Sequence, residues 1–370
     1  MKVCMVSKHF LPFSGGLEVR VLELARWLVM SSDEVVVITS QEPGTPSAEV
    51  VDGITVARYG VWLDLFNALL APGILAGLLK KDYDIIDVNL PDPINSVFAY
   101  AASIIRGKPL IVTYHADIIR SGLLYLPFKL LYYPLQWLVL SRASKILVTS
   151  PDYAKTSPTL RGFQDKVKVA SSFIDTARYN SSIDGLKIRR KLGLKGKVVL
   201  FVGRLVEYKG VEYLIEAAPL LPDATIVIVG EGPLRKSLQE KASGLRNVVF
   251  AGHVGDDELP YYYVACDVFV LPSVTRQEAF GLVLVEAMAC GKPVVSTNFS
   301  GMPYVVGDGG LLVEPKDPKA LAQAIGSILS DEGLASKLSS NGKRRAGELF
   351  TRDVVCKAIR EIYMSALNKG

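Results

Sequence analysis

At 370 residues the chain is too long for one ordinary domain, and two α/β domains are the natural expectation. Hydrophobic residues make up 49 %, mean hydropathy is +0.28, and the net charge is +5 with no long basic run. That balance argues against nucleic acid as a main partner, yet suits a phosphorylated ligand or an anionic membrane face.

The N-terminal MKVCMVS reads as a strand, because its apolar run is too short for a secretory signal. Further strands are predicted at 34–40, 54–58, 84–89, 109–114, 145–150 and 166–170, after a first strand at 3–7. They are short and apolar without strict alternation, as parallel strands buried on both faces should be. A helix from about Leu17 to Met30 follows the first strand, with Leu17, Val21, Leu24, Ala25 and Leu28 on one face. The second half repeats the scheme, with strands at 197–203, 224–230, 247–251, 267–271, 292–296 and 310–313. The polar segment 171–196 is the expected crossing, which gives domains of 1–175 and 176–351. Beyond Lys319 the chain reads as helical, broken near Gly342 and resumed at about Thr351. The last helix, about 352–370, can pack back on the first domain. Such βαβ series build doubly wound sheets whose ligands bind beyond the strand C-termini. Cys4, Cys266, Cys290 and Cys356 are scattered without a CxxC pair, and with three histidines no zinc-ligand spacing can be built. Free thiols in a reducing cytosol, and no metal, are the expectation.

The most informative stretch is LPSVTRQEAFGLVLVEAMACGKPVVS, Leu271 to Ser296. It reads as strand, polar loop, helix, turn and strand, with Glu278 before the helix and Glu286 inside it. Two carboxylates suggest a glycosidase, but a retaining glycosidase needs them about 5–5.5 Å apart. Eight helical positions span roughly 12 Å. That spacing fits a ligand lying along a helix N-terminus and touching two polar parts, such as a sugar and a ribose.

Other strand ends carry candidates, each with a plainer alternative. In HFLPFSGGLEVR, Gly15 and Gly16 precede a helix and let a phosphate approach, although a simple turn serves as well. The GxGxxG dinucleotide fingerprint is missing. In VTYHAD, His115 and Asp117 follow a strand, against the alternative of a structural histidine. In FVGRLVEYKG, Arg204 and Lys209 make a diphosphate clamp or two surface cations. VGEGP, with Gly230, and FAGHV, with His253 and Val254, would wall a nucleobase. The segment Gly122 to Leu140 is long enough to span a membrane, but Lys129, Pro127 and Pro134 count against it. It suits a membrane-interface helix or plain core packing.

Taken together, these loops resemble the family 4 retaining glycosyltransferases of GT-B fold. The resemblance covers nearly the whole chain and is strongest from Val198 to Pro318. It is carried by the GG of SGGLE, the His of TYHAD, the Arg and Lys of GRLVEYKG, VGEGP, and the two glutamates of the E-x7-E pattern. It implies two Rossmann-like doubly wound domains facing across a cleft. It further implies that Glu278 binds the donor sugar's hydroxyls, with the backbone of Ala279, Phe280 and Gly281 at the start of the helix that Leu282 continues. By the same resemblance Glu286 holds the ribose, Arg204 and Lys209 neutralise the diphosphate with help from Gly16, and His115 sits near the anomeric carbon. The implied reaction moves a hexose-type sugar from a UDP- or GDP-sugar to a hydroxyl of a glycan or lipid-linked acceptor. It retains the anomeric configuration, without metal or cofactor. Two residues depart from the family pattern, Arg20 near the first loop and Tyr304 in SGMPYVV. Both are expected at the cleft, and Arg20 and Asp117 are the acceptor-side candidates. A non-hydrolysing sugar-nucleotide 2-epimerase would want more acid–base residues. A nucleotide-dependent oxidoreductase lacks its fingerprint, and a non-catalytic sugar-nucleotide binding protein differs only in activity. The expected place of action is the cytoplasm, at the inner face of the cell membrane if the apolar segment docks there.

Overall fold

The computed structural model describes residues 1–13, 15–65, 68–117 and 126–368. The chain forms two compact units, one of Met1–Thr149, Ala154–Ala170 and Arg352–Gly370, the other of Ser150–Tyr153 and Ser171–Thr351.

The first unit holds strands β1 (Lys2–Ser7), β2 (Glu34–Ser40), β3 (Ala48–Val51), β4 (Ile54–Tyr59), β5 (Leu63–Leu65), β6 (Ala68–Leu70), β7 (Ile85–Leu90), β8 (Leu110–Tyr114), β9 (Lys145–Val148) and β10 (Val167–Val169). Eight of them make one sheet in the order β10-β9-β8-β7-β1-β2-β4-β3, parallel except where β3 returns against β4. The pair β3 and β4, like the ribbon β5–β6, is a local hairpin, and the sequence reading found only β4. β3 is half-exposed, with alternating burial, so it lacks the continuous apolar run that marks its neighbours. The core strands are apolar on both faces because helices cover both.

The second unit contains β11 (Lys197–Val202), β12 (Ala224–Val229), β13 (Val248–Gly252), β14 (Val268–Leu271), β15 (Val294–Thr297) and β16 (Gly310–Val313). Their order is β13-β12-β11-β14-β15-β16, all parallel. This is the doubly wound order in which the first three strands run one way from β11 and the rest the other way. The crevice outside the β11 and β14 C-termini is therefore where a ligand belongs. Each unit is Rossmann-like.

The C-terminal helices differ from the sequence reading. Helix Glu332–Leu349 runs unbroken through Gly342; the chain is interrupted before it, at Asp331, and after it, at Phe350–Thr351, from which the last helix resumes as expected. Asp331 has extended backbone and its Oδ1 accepts from the Leu334 N–H at 2.9 Å, which starts a new helix. Gly342 is there for packing: a Cβ would lie 3.0 Å from Met288 Cγ, on the helix Leu282–Ala289.

Helix Arg352–Leu367 belongs to the first unit and packs on helix Gly16–Met30. Its Tyr363 hydroxyl donates to Asp87, a buried carboxylate in the middle of β7 that also accepts from Thr113 Oγ1 at 2.8 Å. Burial pushes the Asp87 carboxyl above its usual range, against the pull of those two hydroxyls and of the Arg20 charge. Tyr363→Phe removes one donor from a buried acceptor. It should lower unfolding stability by about 1–3 kcal/mol, read as a shift of the urea midpoint. An unchanged midpoint would mean that Thr113 alone satisfies the carboxylate.

Candidate active site

In the second unit four loops leave the C-terminal ends of β11, β12, β13 and β14. They bring together Arg204, Lys209, Gly230, His253 and Glu278, residues far apart in sequence. The turn Glu207–Lys209 ends on Gly210, whose φ of +64° and whose missing Cβ, which would lie 2.1 Å from the Pro272 carbonyl oxygen, both demand glycine. That close approach locks the β11 loop against the β14 loop. Lys209 Nζ then donates to Glu278 Oε2 at 2.5 Å across the β11/β14 switch point, and Ser273 Oγ donates to the same oxygen at 3.1 Å. Both partners are nearly buried. Burial alone would lower the Lys209 ammonium, but Glu278, Tyr208 and Glu286 together outweigh it and the lysine titrates above its usual value. It is a fixed cation at neutral pH.

Beside this pair lies a cavity of about 450 Å³ lined by Gly203, Arg204, Gly230, His253, Val254 and others at the same strand ends. Arg204 is exposed and no side chain pairs with it among the described residues, so its guanidinium is available at the cavity mouth. His253 is exposed and Val254 buried. Gly281, with φ of +74°, turns the chain into helix Leu282–Ala289. Phe280 points its ring into the core against Phe350, and of Ala279, Phe280 and Gly281 the backbone is what remains for a ligand. Leu282 is partly exposed at the helix start.

Glu286 stands apart from that bond. Tyr263 donates its hydroxyl to Glu286 Oε2 at 2.5 Å. Burial raises the carboxyl to about 7, against the pull of the Tyr263 hydroxyl and of Arg178 and Lys209. Near neutral pH it is thus divided between acid and carboxylate.

In the first unit, His115 follows β8 and its Nε2 lies 2.8 Å from Asn89 Oδ1. The Asn89 amide nitrogen points to the Val6 carbonyl, so its oxygen accepts and the histidine carries its proton on Nε2. Nδ1 is then an acceptor. Burial, helped by the Arg20 charge, lowers the imidazole to about 3, so it is neutral. Gly15 caps helix Gly16–Met30, and a Cβ on Gly16 would meet nothing within 4 Å. Arg20, on that helix, donates from Nη2 to the Ala170 carbonyl at 3.1 Å, and its Nε has no acceptor among the described residues. Asp117 Oδ1 accepts from Tyr114 Oη at 2.8 Å and Ser157 Oγ at 2.7 Å, so one of its oxygens ties two loops together. Tyr304, in the second unit, packs edge-on to Phe350 under the Arg345 guanidinium. Arg120 and residues 122–125 lie outside the described residues.

Three supports were invisible in the sequence. Ser273 sits after a strand-ending proline, Asn89 lies within an apolar strand, and Tyr263 is one of three consecutive tyrosines. Only the fold shows that Ser273 and Tyr263 face the glutamates and Asn89 the histidine. No group of three His, Cys, Asp or Glu converges as a metal site among the described residues.

Comparison with known proteins adds a family. The model for glycosyl transferases group 1 matches residues 185–345, and that for glycosyltransferase family 4 matches residues 14–178. The O-antigen chain mannosyltransferase C of Escherichia coli is 30 % identical, covering 99 % of this chain and 99 % of that protein. The D-rhamnosyltransferase WbpZ of Pseudomonas aeruginosa is 32 % identical over 95 % of this chain and 92 % of its own. Among solved structures, Anabaena HepE in complex with UDP is similar at a TM-score of 0.79 and 26 % identity, over 99 % of this chain and 100 % of that one.

The Glu286 titration has a sign that can be tested. Its folded value near 7 exceeds the ordinary 4.5. The folded state therefore holds the extra proton between those values, and stability falls as pH rises through that window. The loss should approach about 3 kcal/mol above pH 7. Glu286→Gln should flatten this slope and melt higher than the parent at pH 8. Parallel melting curves against pH for the two proteins would contradict the assignment.

Proposed function

The chain belongs to the group 1 glycosyltransferases, and on that footing we propose that it transfers a hexose-type sugar from a UDP- or GDP-sugar to a hydroxyl of a glycan or lipid-linked acceptor, with retention at the anomeric carbon and without metal or cofactor. The observation that carries this reading is the Lys209–Glu278 bond at the strand switch point, beside the cavity with Arg204 at its mouth. Mannosyl and rhamnosyl transfer by the two relatives supports the sugar class, and UDP on HepE supports a nucleoside diphosphate in such a fold. Four buried, unpaired cysteines suit a reducing compartment, and the proposal sets the reaction in the cytoplasm.

Chemically, the demand is to stabilise a departing diphosphate while positive charge builds on the sugar ring. Lys209 is charged and held in place, and Arg204 adds a second cation for the leaving oxygens. Glu278 spends Oε2 on Lys209 and Ser273, and Oε1 has no partner among the described residues, so it can accept a sugar hydroxyl. Sugar and diphosphate binding are coupled here. A hydroxyl that draws Glu278 away leaves a buried ammonium in need of another anion, and the diphosphate supplies it. Glu286, with one oxygen taken by Tyr263, serves the ribose. The acceptor hydroxyl attacks from the face that the phosphate leaves, the carbon–phosphate-oxygen bond breaks, and the departing oxygen takes the acceptor proton. His115, neutral and too weak a base to remove that proton, offers Nδ1 to a donor hydroxyl.

A thermal-shift panel of UDP-, GDP- and ADP-sugars should show one base stabilising by about 2.7 kcal/mol at 100 times its dissociation constant. With that donor, transfer should persist in EDTA and give a product of the donor's anomeric configuration by NMR. Loss of activity on chelation, restored by Mg²⁺ or Mn²⁺, would refute the metal-free reading, and an inverted product would refute retention.

Glu278→Gln keeps the side-chain volume but weakens the acceptor. Turnover should fall by roughly 10²–10³, as when other fixed transition-state contacts are removed, with the circular dichroism spectrum unchanged. Near-parental turnover in a folded variant would remove Glu278 from the site.

A further inference from the structure

The transfer reading leaves one feature of the first unit unused, the apolar helix Leu126–Arg142. Its inner stripe is buried at Tyr132, Gln136, Val139 and Leu140, positions four, seven and eight apart that share one face. On the outer side Leu130, Tyr133, Trp137 and Leu138 are exposed to 69, 42, 58 and 39 %. Pro134 continues that side, and at its C-terminal end Arg142 turns its Nη2 to the Ser103 and Lys108 carbonyls, so the described positions from Leu130 to Leu138 on that side carry no charge. A surface helix of a water-soluble protein ordinarily places its charged residues there. No helix among the described residues is long and apolar enough to cross a membrane, so a surface role is what this face can serve.

The surroundings of the stripe are basic. The Trp137 ring lies 6.4 Å from Phe163, in the turn Arg161–Phe163, where Arg161 is exposed. Lys166 Nζ donates to the Leu140 and Ser141 carbonyls at the helix C-terminal end, at 3.4 and 2.5 Å. Lys168 is exposed on β10, the edge strand of the sheet. Between residues 126 and 168 there are seven Lys and Arg against two Asp. The chain as a whole has 42 against 37, so the remainder has 35 of each and the whole net charge of +5 resides in this segment.

We propose that this face docks the first unit on an anionic lipid bilayer, with Tyr133, Trp137, Leu130 and Leu138 at the headgroup–acyl boundary and Arg161 and Lys168 against the headgroups. Tyr and Trp suit that depth because each joins an apolar ring to a polar atom. The basic rim attracts anionic lipid and repels a second copy of itself, which argues against self-association as the cover. The inference does not depend on which sugar or base the enzyme uses.

Flotation with phosphatidylcholine vesicles, with and without phosphatidylglycerol, tests it. The full chain should float with the anionic vesicles and far less with the neutral ones, and high salt should release it. Tyr133→Ser with Trp137→Ser should cut partitioning roughly ten-fold or more. Arg161→Gln and Lys168→Gln should each reduce binding to the anionic vesicles by about five-fold, and leave the neutral-vesicle baseline alone. Should the serine variant melt early, the two glutamine variants carry the test, since both side chains are exposed. Parent protein that stays in the soluble fraction with anionic vesicles overturns the proposal. So does unchanged flotation of the folded variants, or a dimer in sedimentation that Trp137→Ser dissociates.

Discussion

Between the loops that leave β11 and β14, Lys209 and Glu278 share a nearly buried hydrogen bond, and the second unit is arranged around the need to keep both charges satisfied. Removing two such charges from water is costly, and their attraction offsets the cost only with good geometry and further hydrogen bonds. The fold supplies both. Parallel pairing of β11 with β14 sets the two loops side by side, Gly210 lets them touch, and Ser273 shares the carboxylate oxygen. A glutamate on the surface would have none of these supports and could not be held to a single orientation.

How much of this could be read in advance differs between the layers of the structure. The inner strands of the second sheet were legible because they are buried on both faces, and a run such as KVVLFV has little else it can be; the half-buried edge strands β13 and β16 were legible because their runs are also short and apolar. The same logic failed at β3, where one face meets water and composition carries little signal. Glu278, Lys209 and Arg204 were legible as candidates because strand ends in doubly wound sheets are where ligands bind. Their supports were not. Nothing at the sequence level separates Tyr263 from Tyr261 and Tyr262, and only the pitch of the helix Leu259–Ala265 decides which ring meets Glu286. Gly342 misled for a related reason. Glycine in a helix is read as a break, but here it admits Met288 of a neighbouring helix.

The two units solve the burial of polar groups differently. In the second, Lys209 and Glu278 lie in loops at the strand ends, where a ligand can reach them, and Glu286 lies in the helix that follows. In the first, Asp87 lies inside the sheet, closed in by Thr113 and Tyr363, where it serves the fold. His115 lies between these cases: Asn89 fixes its tautomer from within the sheet, and the opposite nitrogen is left for hydrogen bonding.

Tyr363 has a consequence for the order in which the protein is made. Asp87 leaves the ribosome 276 residues before Tyr363, its donor, and the first sheet is complete at Val169, long before helix Arg352–Leu367 begins. Through most of synthesis the first unit therefore holds a desolvated carboxylate one hydroxyl short. It also lacks the cover that helix Arg352–Leu367 gives to helix Gly16–Met30. The second unit, whose six strands lie between Lys197 and Val313, has all of its sheet earlier than the first has all of its helices. Domains on most chains mature from the N-terminus onward; here the unit that emerges first is completed last, and a chain released before its last helix would leave Asp87 without Tyr363 and helix Gly16–Met30 without its cover.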